Sequence, residues 1–374
     1  MFQQNKLHSE LTFIQKVKKL DFVLLFSIII LSIISLMVMY STDGGEILYH
    51  TKNHTLRFCI FFTMMIIISF INIRVWHNLS YLFYFVTLLL LVWASFYGIT
   101  ASGSQRWINL YFINLQPSEL MKIAIILCFA KYYHRIQLSN VNKLKNIVIP
   151  ILIIFIPTAL VISQPDLGTS VLIVLSGIIV LWLAGVNIKY FFYSSIAFII
   201  SAPFVISFLK PYQKLRILTF FDPDKDPLGA GYQIIQSKIA VGSGGLTGKG
   251  FLKGTQGYLE FLPEKHTDFI FTLFSEEFGF VGSLVLLILY AILILRIIRI
   301  GALSRSFFGK FFCYGFGSAI FVYVTVNMSM VLGLLPIVGS PLPILSYGGS
   351  SMLATMIGLG IVMSTKIYSR QLIS

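Results

Sequence analysis

About ten long apolar stretches dominate the chain, and short polar segments separate most of them. A helix needs about 20 apolar residues to cross the hydrocarbon of a bilayer. The runs are continuous, whereas a membrane β-barrel would alternate apolar and polar positions. The pattern therefore predicts an all-α polytopic membrane protein with about ten transmembrane helices. The stretches lie approximately at Phe22–Tyr40, Leu56–Ile73, Leu79–Gly98, Ser118–Tyr133, Ile147–Ser163, Thr169–Val186, Tyr190–Leu209, Phe269–Leu295, Phe311–Leu335 and Tyr347–Lys366.

Composition agrees with this class, since 57% of residues are hydrophobic and only 11% are charged. Soluble domains carry about 25% charged residues. We expect one integral membrane domain over residues 1–374, because the only long interruption is an extracytoplasmic loop at about 210–268. Within that loop Tyr232, Ile235 and Ile239 recur at helical spacing, which predicts a short amphipathic helix.

The distribution of basic residues predicts how the chain is oriented. Lys16, Lys18 and Lys19 precede the first apolar stretch, and Lys143 and Lys145 lie in a later short loop. Positive charge favours the cytoplasmic side, so we expect both termini in the cytoplasm. This orientation places most of the acidic residues in or beside outer loops.

Three acids, Glu119, Asp166 and Asp268, lie at the outer edges of apolar stretches, where burial and nearby charges change pKa values most. They favour an extracytoplasmic site that handles protons or cations. Two structural interpretations remain open: Asp166 and Asp268 could each cap a helix, and Glu119 could pair with Lys122 on one helix face.

Basic residues share the outer face, and they suit either a phosphate or diphosphate ligand or contact with anionic lipid headgroups. They include Arg106, Lys122, Arg216, Lys249 and Lys265. The glycine-rich tract at residues 242–250 is not a nucleotide-binding loop, because Ser243 replaces its first glycine and Gly250 its final Ser or Thr. Its glycines permit either close backbone approach to a headgroup or sharp turns.

Several motifs together resemble the SEDS family, the shape, elongation, division and sporulation glycosyltransferases, over nearly the whole chain. The matching segments include the site motif, Leu262–Phe271. Gly254–Gln256 followed by Leu259–His266 looks more like the elongation branch, RodA, than the division branch, FtsW. The other matching segments are Arg106–Asn109, Gln116–Lys122, Gln164–Ser170, Arg216–Phe220, Gly248–Gln256, Glu276–Gly279 and Pro341–Ser350.

The resemblance implies a SEDS-type helix bundle that polymerises lipid II into peptidoglycan glycan strands outside the bacterial cytoplasmic (inner) membrane, during cell elongation and rod-shape maintenance. It implies that Asp268 is the catalytic general base or a ligand of an assisting divalent cation, Mg²⁺ or Mn²⁺, with Glu119 as a second ligand. Glu119 and Asp166 would be supporting acids. The residues expected to bind substrate or diphosphate are Arg106, Lys122, Arg216, Lys249, Lys265 and His266.

The expected partners are a class B penicillin-binding protein, which is a transpeptidase, together with lipid II, undecaprenyl-diphosphate-linked glycan and membrane lipids. No nucleotide or nucleic acid is expected. Two other functions stay open, a lipid II flippase and a non-catalytic scaffold of the elongation complex, and so does membership of the division branch. Glu276 and Glu277 keep the flippase open, because transporters place charged groups near the bilayer midplane.

Overall fold

The structure is a computed structural model that describes residues 11–101, 104–110, 114–208, 211–226, 229–255 and 264–373. Leu262 and Pro263 of the site motif and part of the predicted loop at 210–268 lie outside the described residues. The helices are α1 (Phe13–Lys18), α2 (Phe22–Thr42), α3 (Tyr49–Phe70), α4 (Ile73–Tyr97), α5 (Pro117–His134), α6 (Leu144–Ser163), α7 (Leu167–Leu183), α8 (Ile188–Phe208), α9 (Pro211–Phe221), α10 (Ala230–Ser243), α11 (Ile270–Leu303), α12 (Phe307–Val331) and α13 (Gly349–Ile367).

The predicted apolar stretches fall on α2 to α8 and α11 to α13, which confirms an all-α polytopic membrane fold. In the described part of the chain, seven helices are long and apolar enough to cross a membrane: α2, α3, α4, α6, α11, α12 and α13. The other three are less typical. Helix α5 carries Glu119, Lys122 and Lys131, α7 has 17 residues, and the apolar part of α8 is Ile188–Ser201.

Helix α5 lies at the centre of the bundle, where α4, α7 and α12 pack around it. Every residue from Pro117 to Ala130 is buried, including the charged pair at its amino-terminal end. A helix that is buried on all sides has no polar stripe to expose, which fits its lack of amphipathic character. The fold therefore carries Glu119 and Lys122 into the protein interior.

Three short strands lie between α4 and α5, where the sequence pattern predicts none. They are β1 (Ile99–Ala101), β2 (Ser104–Asn109) and β3 (Asn114–Leu115), and they form an antiparallel sheet in the order β1-β2-β3. Ile108 pairs with Leu115 and Asn109 with Asn114. This sheet carries Arg106 and leads directly into the buried start of α5.

The glycine-rich tract packs its backbone against a kink in α11. Gly279 has φ +65° and interrupts the helix, and the amide of Gly250 donates to the carbonyl of Glu277 at 3.0 Å. A Cβ at Gly248 would collide with the same carbonyl. Of the two uses that the sequence left open, the structure confirms sharp turns, since Gly245, Gly248 and Gly250 have positive φ. The close approach seen here is to another backbone, and approach to a headgroup stays a prediction.

Helix α10 confirms the predicted helix inside the long loop, and it packs on the bundle through a different face from the one that carries Tyr232, Ile235 and Ile239. Ile239 is exposed, whereas Ile234, Ser237 and Ala240 are buried and the helix packs on α11 and α12. Small side chains such as Ser237 and Ala240 allow another helix to approach closely. They therefore mark the packed face of α10 better than its large apolar side chains do.

Candidate active site

Asp268 lies in the turn at residues 264–269 that leads into α11. The N-cap of α11 is Phe269 and has no side-chain capping bond, so the capping interpretation is wrong for Asp268. Among the described residues, the carboxylate of half-buried Asp268 forms no hydrogen bond or salt bridge. It is therefore available to a ligand or a proton.

The backbone around Asp268 is held firmly although its side chain is not. The Asn327 side-chain amide donates to the carbonyl oxygens of Asp268 at 2.8 Å and Ser340 at 2.6 Å. The hydroxyl of Ser346 donates to the Thr267 carbonyl at 2.7 Å. Helix α12 and the segment that precedes α13 thus fix the position from which the carboxylate projects.

Gly339 leaves space beside that carboxylate. It has φ +69°, and a Cβ built on it would lie 3.3 Å from Oδ2 of Asp268. A side chain here would both strain the backbone and crowd the acid. The glycine therefore keeps one approach to Asp268 open.

Asp166 both caps helix α7 and binds Arg106 of the site. Its Oδ1 accepts from the amide of Thr169 at 3.1 Å, which confirms the N-cap interpretation for α7. Its Oδ2 accepts from Nη1 of Arg106 at 2.7 Å and from the Gln116 side chain at 3.1 Å. The buried acid thereby positions the guanidinium that the sheet carries.

Glu119 and Lys122 form the predicted ion pair inside α5, with 2.8 Å between Lys122 Nζ and Glu119 Oε1. The side chains are 5% and 6% exposed, and the Lys122 ammonium also lies 4.4 Å from the centre of the Tyr323 ring. A buried ion pair is stable only when its polar atoms are satisfied in this way. The structural interpretation is confirmed, while phosphate binding by Lys122 stays a prediction.

The surroundings of Asp268 make its carboxyl a weak acid. Burial, and after it the charge of Glu264, raise its pKa to about 7. Arg106 and Arg216 oppose this rise, so both arginines are electrostatically coupled to the carboxylate. A pKa near the operating pH suits a group that must accept and release a proton.

His266 lies against residues that the sequence analysis did not single out. Its ring stacks on that of His50 at 3.9 Å, and Nδ1 of His50 lies 3.1 Å from Oδ1 of Asp43. Burial and then the charge of His50 lower the pKa of His266 to about 4, so its ring is neutral at pH 7. Sequence gave no signal for these contacts, because more than 200 positions separate His50 from His266.

Lys249 and Lys265 occupy different surroundings from the two arginines. Lys249 Nζ lies 2.7 Å from Oε1 of buried Glu276, which also accepts from Thr255. Lys265 is buried beside His266. The charge of Lys249 is thus already balanced, and its contact with a diphosphate stays a prediction.

Two arrangements bear on a bound cation. Of the predicted ligands Asp268 and Glu119, the second already has a fixed cationic partner in Lys122, so Asp268 alone offers an uncommitted carboxylate. Donor atoms of Asp43, His50 and His266 lie within 4.8 Å of one another. The two imidazoles are stacked, however, so their in-plane lone pairs do not converge on one ion without a ring rotation.

Comparison with known proteins identifies the family. Residues 17–371 match the family model for the FtsW, RodA and SpoVE proteins, described as cell cycle proteins. The chain is 43% identical to peptidoglycan glycosyltransferase MrdB of Escherichia coli strain K12, over 96% of this chain and 97% of the relative. It is 35% identical to stage V sporulation protein E of Bacillus subtilis strain 168, over 94% and 98% of the two chains.

Solved structures share the fold. A chain from a structure titled as the structural coordination of polymerization and crosslinking by a peptidoglycan synthase complex matches with a TM-score of 0.81 and 29% identity, covering 94% of this chain and 99% of that one. The rod shape determining protein RodA of Thermus thermophilus has the same fold, with a TM-score of 0.71, 24% identity and coverage of 94% and 98%. On its motifs, its fold and these similarities, the chain belongs to the FtsW/RodA/SpoVE family, which is the SEDS family.

Proposed function

We propose that this protein is a peptidoglycan glycosyltransferase that polymerises lipid II into glycan strands. The observation that carries the proposal is the carboxylate of Asp268, which has no partner among the described residues and is coupled to two arginines. Three other acids described above, Asp166, Glu119 and Glu276, are each paired with a cation. The names of the relatives support the same activity.

The reaction joins the 4-hydroxyl of the N-acetylglucosamine of lipid II to the reducing-end sugar of the growing chain. As the new carbon–oxygen bond forms, Asp268 accepts the hydroxyl proton and the bond from the sugar to undecaprenyl diphosphate breaks. A carboxylate is too weak a base to ionise a free hydroxyl, so proton transfer must accompany bond formation. The raised pKa of Asp268, about 7, makes it a better acceptor than an ordinary aspartate.

The leaving diphosphate takes both bonding electrons and needs positive charge beside it. Arg106 is held by Asp166 at 2.7 Å, and Arg216 donates to the carbonyl of Ile337 at 3.4 Å. Both are fixed on protein groups before substrate arrives, which lowers the cost of organising charge in the transition state. Arginine also offers a planar fork that suits phosphate oxygens.

The alternative role of Asp268 is to bind a divalent cation, because its carboxylate is the uncommitted one of the two predicted ligands. Mg²⁺ or Mn²⁺ bound there together with diphosphate oxygens would neutralise the charge of the leaving group. Polymerisation is expected to fall when the purified protein is treated with a chelator and to recover on addition of Mg²⁺ or Mn²⁺.

The proposed setting is the bacterial cytoplasmic membrane, with both termini in the cytoplasm and Asp268 facing outward, where lipid II is used in cell elongation. The proposed partner is a class B penicillin-binding protein that crosslinks the strands. Two observations support this setting: the match to a chain of a peptidoglycan synthase complex that coordinates polymerization and crosslinking, and the resemblance of Gly254–Gln256 and Leu259–His266 to the elongation branch.

The flippase interpretation depended on Glu276 and Glu277 as free acids within the bundle. Glu276 is paired with Lys249, and Glu277 accepts a hydrogen bond from Ser41. Glu276 therefore gives no support to a transport site, whereas the second carboxylate oxygen of Glu277 is buried with no hydrogen-bond partner among the described residues.

The test is polymerisation of purified lipid II by this protein with its penicillin-binding partner, whose transpeptidase is blocked. Long uncrosslinked strands that the partner alone does not make are the expected result. Transport of lipid II across vesicle membranes is measured in parallel. Absence of strands from a folded, partner-bound protein that does transport lipid II would overturn the proposal in favour of a flippase, and absence of both activities would favour a scaffold.

A further inference from the structure

A basic cavity of about 560 Å³ lies at the face of the bundle opposite to Asp268, where α1, α2, α11 and the end of α13 meet. Ligand pockets in proteins commonly enclose about 300–1,000 Å³, so the space suits a small molecule or a headgroup. Its charged lining residues are Lys18, Lys19, Asp21, Arg296, Lys366 and Arg370.

The single acid of the lining does not balance these cations. Asp21 is buried, caps α2 through the amide of Leu24 at 3.1 Å, and lies 2.8 Å from Nη2 of Arg296. The lining has five cations and one acid, so four positive charges remain after this pair forms. In the described part of the chain, none of those four forms a salt bridge.

The cations are also crowded, which distinguishes the cavity from a surface with scattered positive charge. Burial and then the charge of Arg370 lower the pKa of Lys19. Lys366 lies in the last turn of α13, and Lys18 in the last turn of α1. Bringing like charges together costs free energy, which a bound anion would recover.

Apolar side chains continue from the cavity along the outside of the bundle. Phe22 and Val23 line the cavity and are 67% and 47% exposed, and Phe26, one turn further along α2, is 65% exposed. A free phosphate would leave this surface uncovered, whereas the acyl chains of a lipid would cover it. The opposite face is the cytoplasmic one in the proposed orientation, where anionic lipids attract basic segments.

We propose that this cavity binds the phosphate of an anionic phospholipid from the adjoining leaflet, with Lys18, Lys19, Lys366 and Arg370 around the phosphate and the acyl chains along Phe22 and Phe26. The site is separate from Asp268 and does not depend on the proposed catalytic activity.

The test is calorimetric titration of the full-length protein in a neutral detergent with short-chain phosphatidylglycerol, short-chain phosphatidylcholine and inorganic phosphate. The cavity variant is Lys18→Gln/Lys19→Gln/Arg370→Gln. The matched control is Lys143→Gln/Lys145→Gln/Arg299→Gln, which removes three exposed cations outside the cavity. Melting temperatures of all three proteins verify folding.

We expect saturable binding of phosphatidylglycerol but not of phosphatidylcholine. The cavity variant should bind on the order of a hundredfold more weakly, since each cation near an anionic surface contributes about fivefold. The control should bind like the wild type. Equal affinity of a folded cavity variant and the wild type would overturn the proposal. Inorganic phosphate binding as tightly as phosphatidylglycerol would confirm the anion site but show that its source is soluble, contradicting the lipid assignment.

Discussion

At the scale of single residues, Asp268 differs from the other acids of the site in what surrounds it. Asp166 and Glu119 have fixed cationic partners, whereas the carboxylate of Asp268 has none in the described part of the chain. Sequence identified all three acids from their positions at the ends of apolar stretches. Those positions could not rank them, because pairing depends on residues distant in the chain, such as Arg106 for Asp166; only the resemblance singled out Asp268.

Glu264 is expected to set the pH at which activity is lost. The base must be deprotonated, so turnover is present above the pKa of Asp268, about 7, and falls as the pH drops through it. Glu264 raises that pKa, and Glu264→Gln should therefore move the acid limb of the rate profile to lower pH. Rates of strand formation at low ionic strength measure this, because salt screens exposed charges.

Asp224→Asn is the control for this profile, since Asp224 is exposed and does not act on the pKa of Asp268. Its acid limb should coincide with that of the wild type. An unchanged acid limb in a folded Glu264→Gln variant would contradict the electrostatic account of the site.

At the scale of elements, the apolar pattern predicted the long helices well but missed the parts that bring the site together. The strands β1 and β3 have three and two residues, too few for a periodic signal. The buried face of α10 was missed because small residues such as Ser237 and Ala240 carry little hydrophobic signal. The packed face of α10 also depends on contacts with α11 and α12, which are remote from it in sequence.

The kink of α11 should depend on close backbone contact with the glycine-rich tract. A Cβ at Gly248, where φ is +81°, would collide with the Glu277 carbonyl, so Gly248→Ala should destabilise the protein by about 1–3 kcal/mol. Gly242→Ala is the matched control, because nothing lies within 4 Å of its Cβ position. Thermal unfolding in detergent measures both, and equal melting temperatures would contradict the packing described here.

The charged pair of α5 should stabilise the bundle only while both members are present. Lys122→Met leaves Glu119 buried without its partner, and breaking such a pair costs about 3–5 kcal/mol. Adding Glu119→Gln should restore most of this loss, which denaturant unfolding would show. Lys131→Met on the same helix removes an ammonium that donates to the Asn78 carbonyl and lies 4.5 Å from the centre of the Tyr81 ring, and it should cost only about 1–2 kcal/mol. Equal costs for the two single variants would rule out a special role for the buried pair.

At the scale of the whole molecule, the proposed functions require that Asp268 lies on the outer face of the membrane and the basic cavity on the inner face. Cysteine variants test this orientation: in a Cys59→Ser background, an impermeant thiol reagent should label Asp224→Cys in intact cells. It should label Lys145→Cys only after the membrane is permeabilised. Cys128 and Cys313 are buried and give little background. The reverse pattern of labelling would show that the protein has the opposite orientation in the membrane, with Asp268 on the inner face.

The central claim, that Asp268 is the base of glycan polymerisation, is tested most directly by the rate at which Asp268→Asn makes strands from lipid II. The variant is compared with Asp224→Asn, each with the penicillin-binding partner present and its transpeptidase blocked. Loss of a general base should lower the rate by about 10²–10⁴-fold, without lowering the melting temperature, because the carboxylate has no partner to lose and its charged form is disfavoured by burial. Strand formation by Asp268→Asn at the wild-type rate would contradict the account.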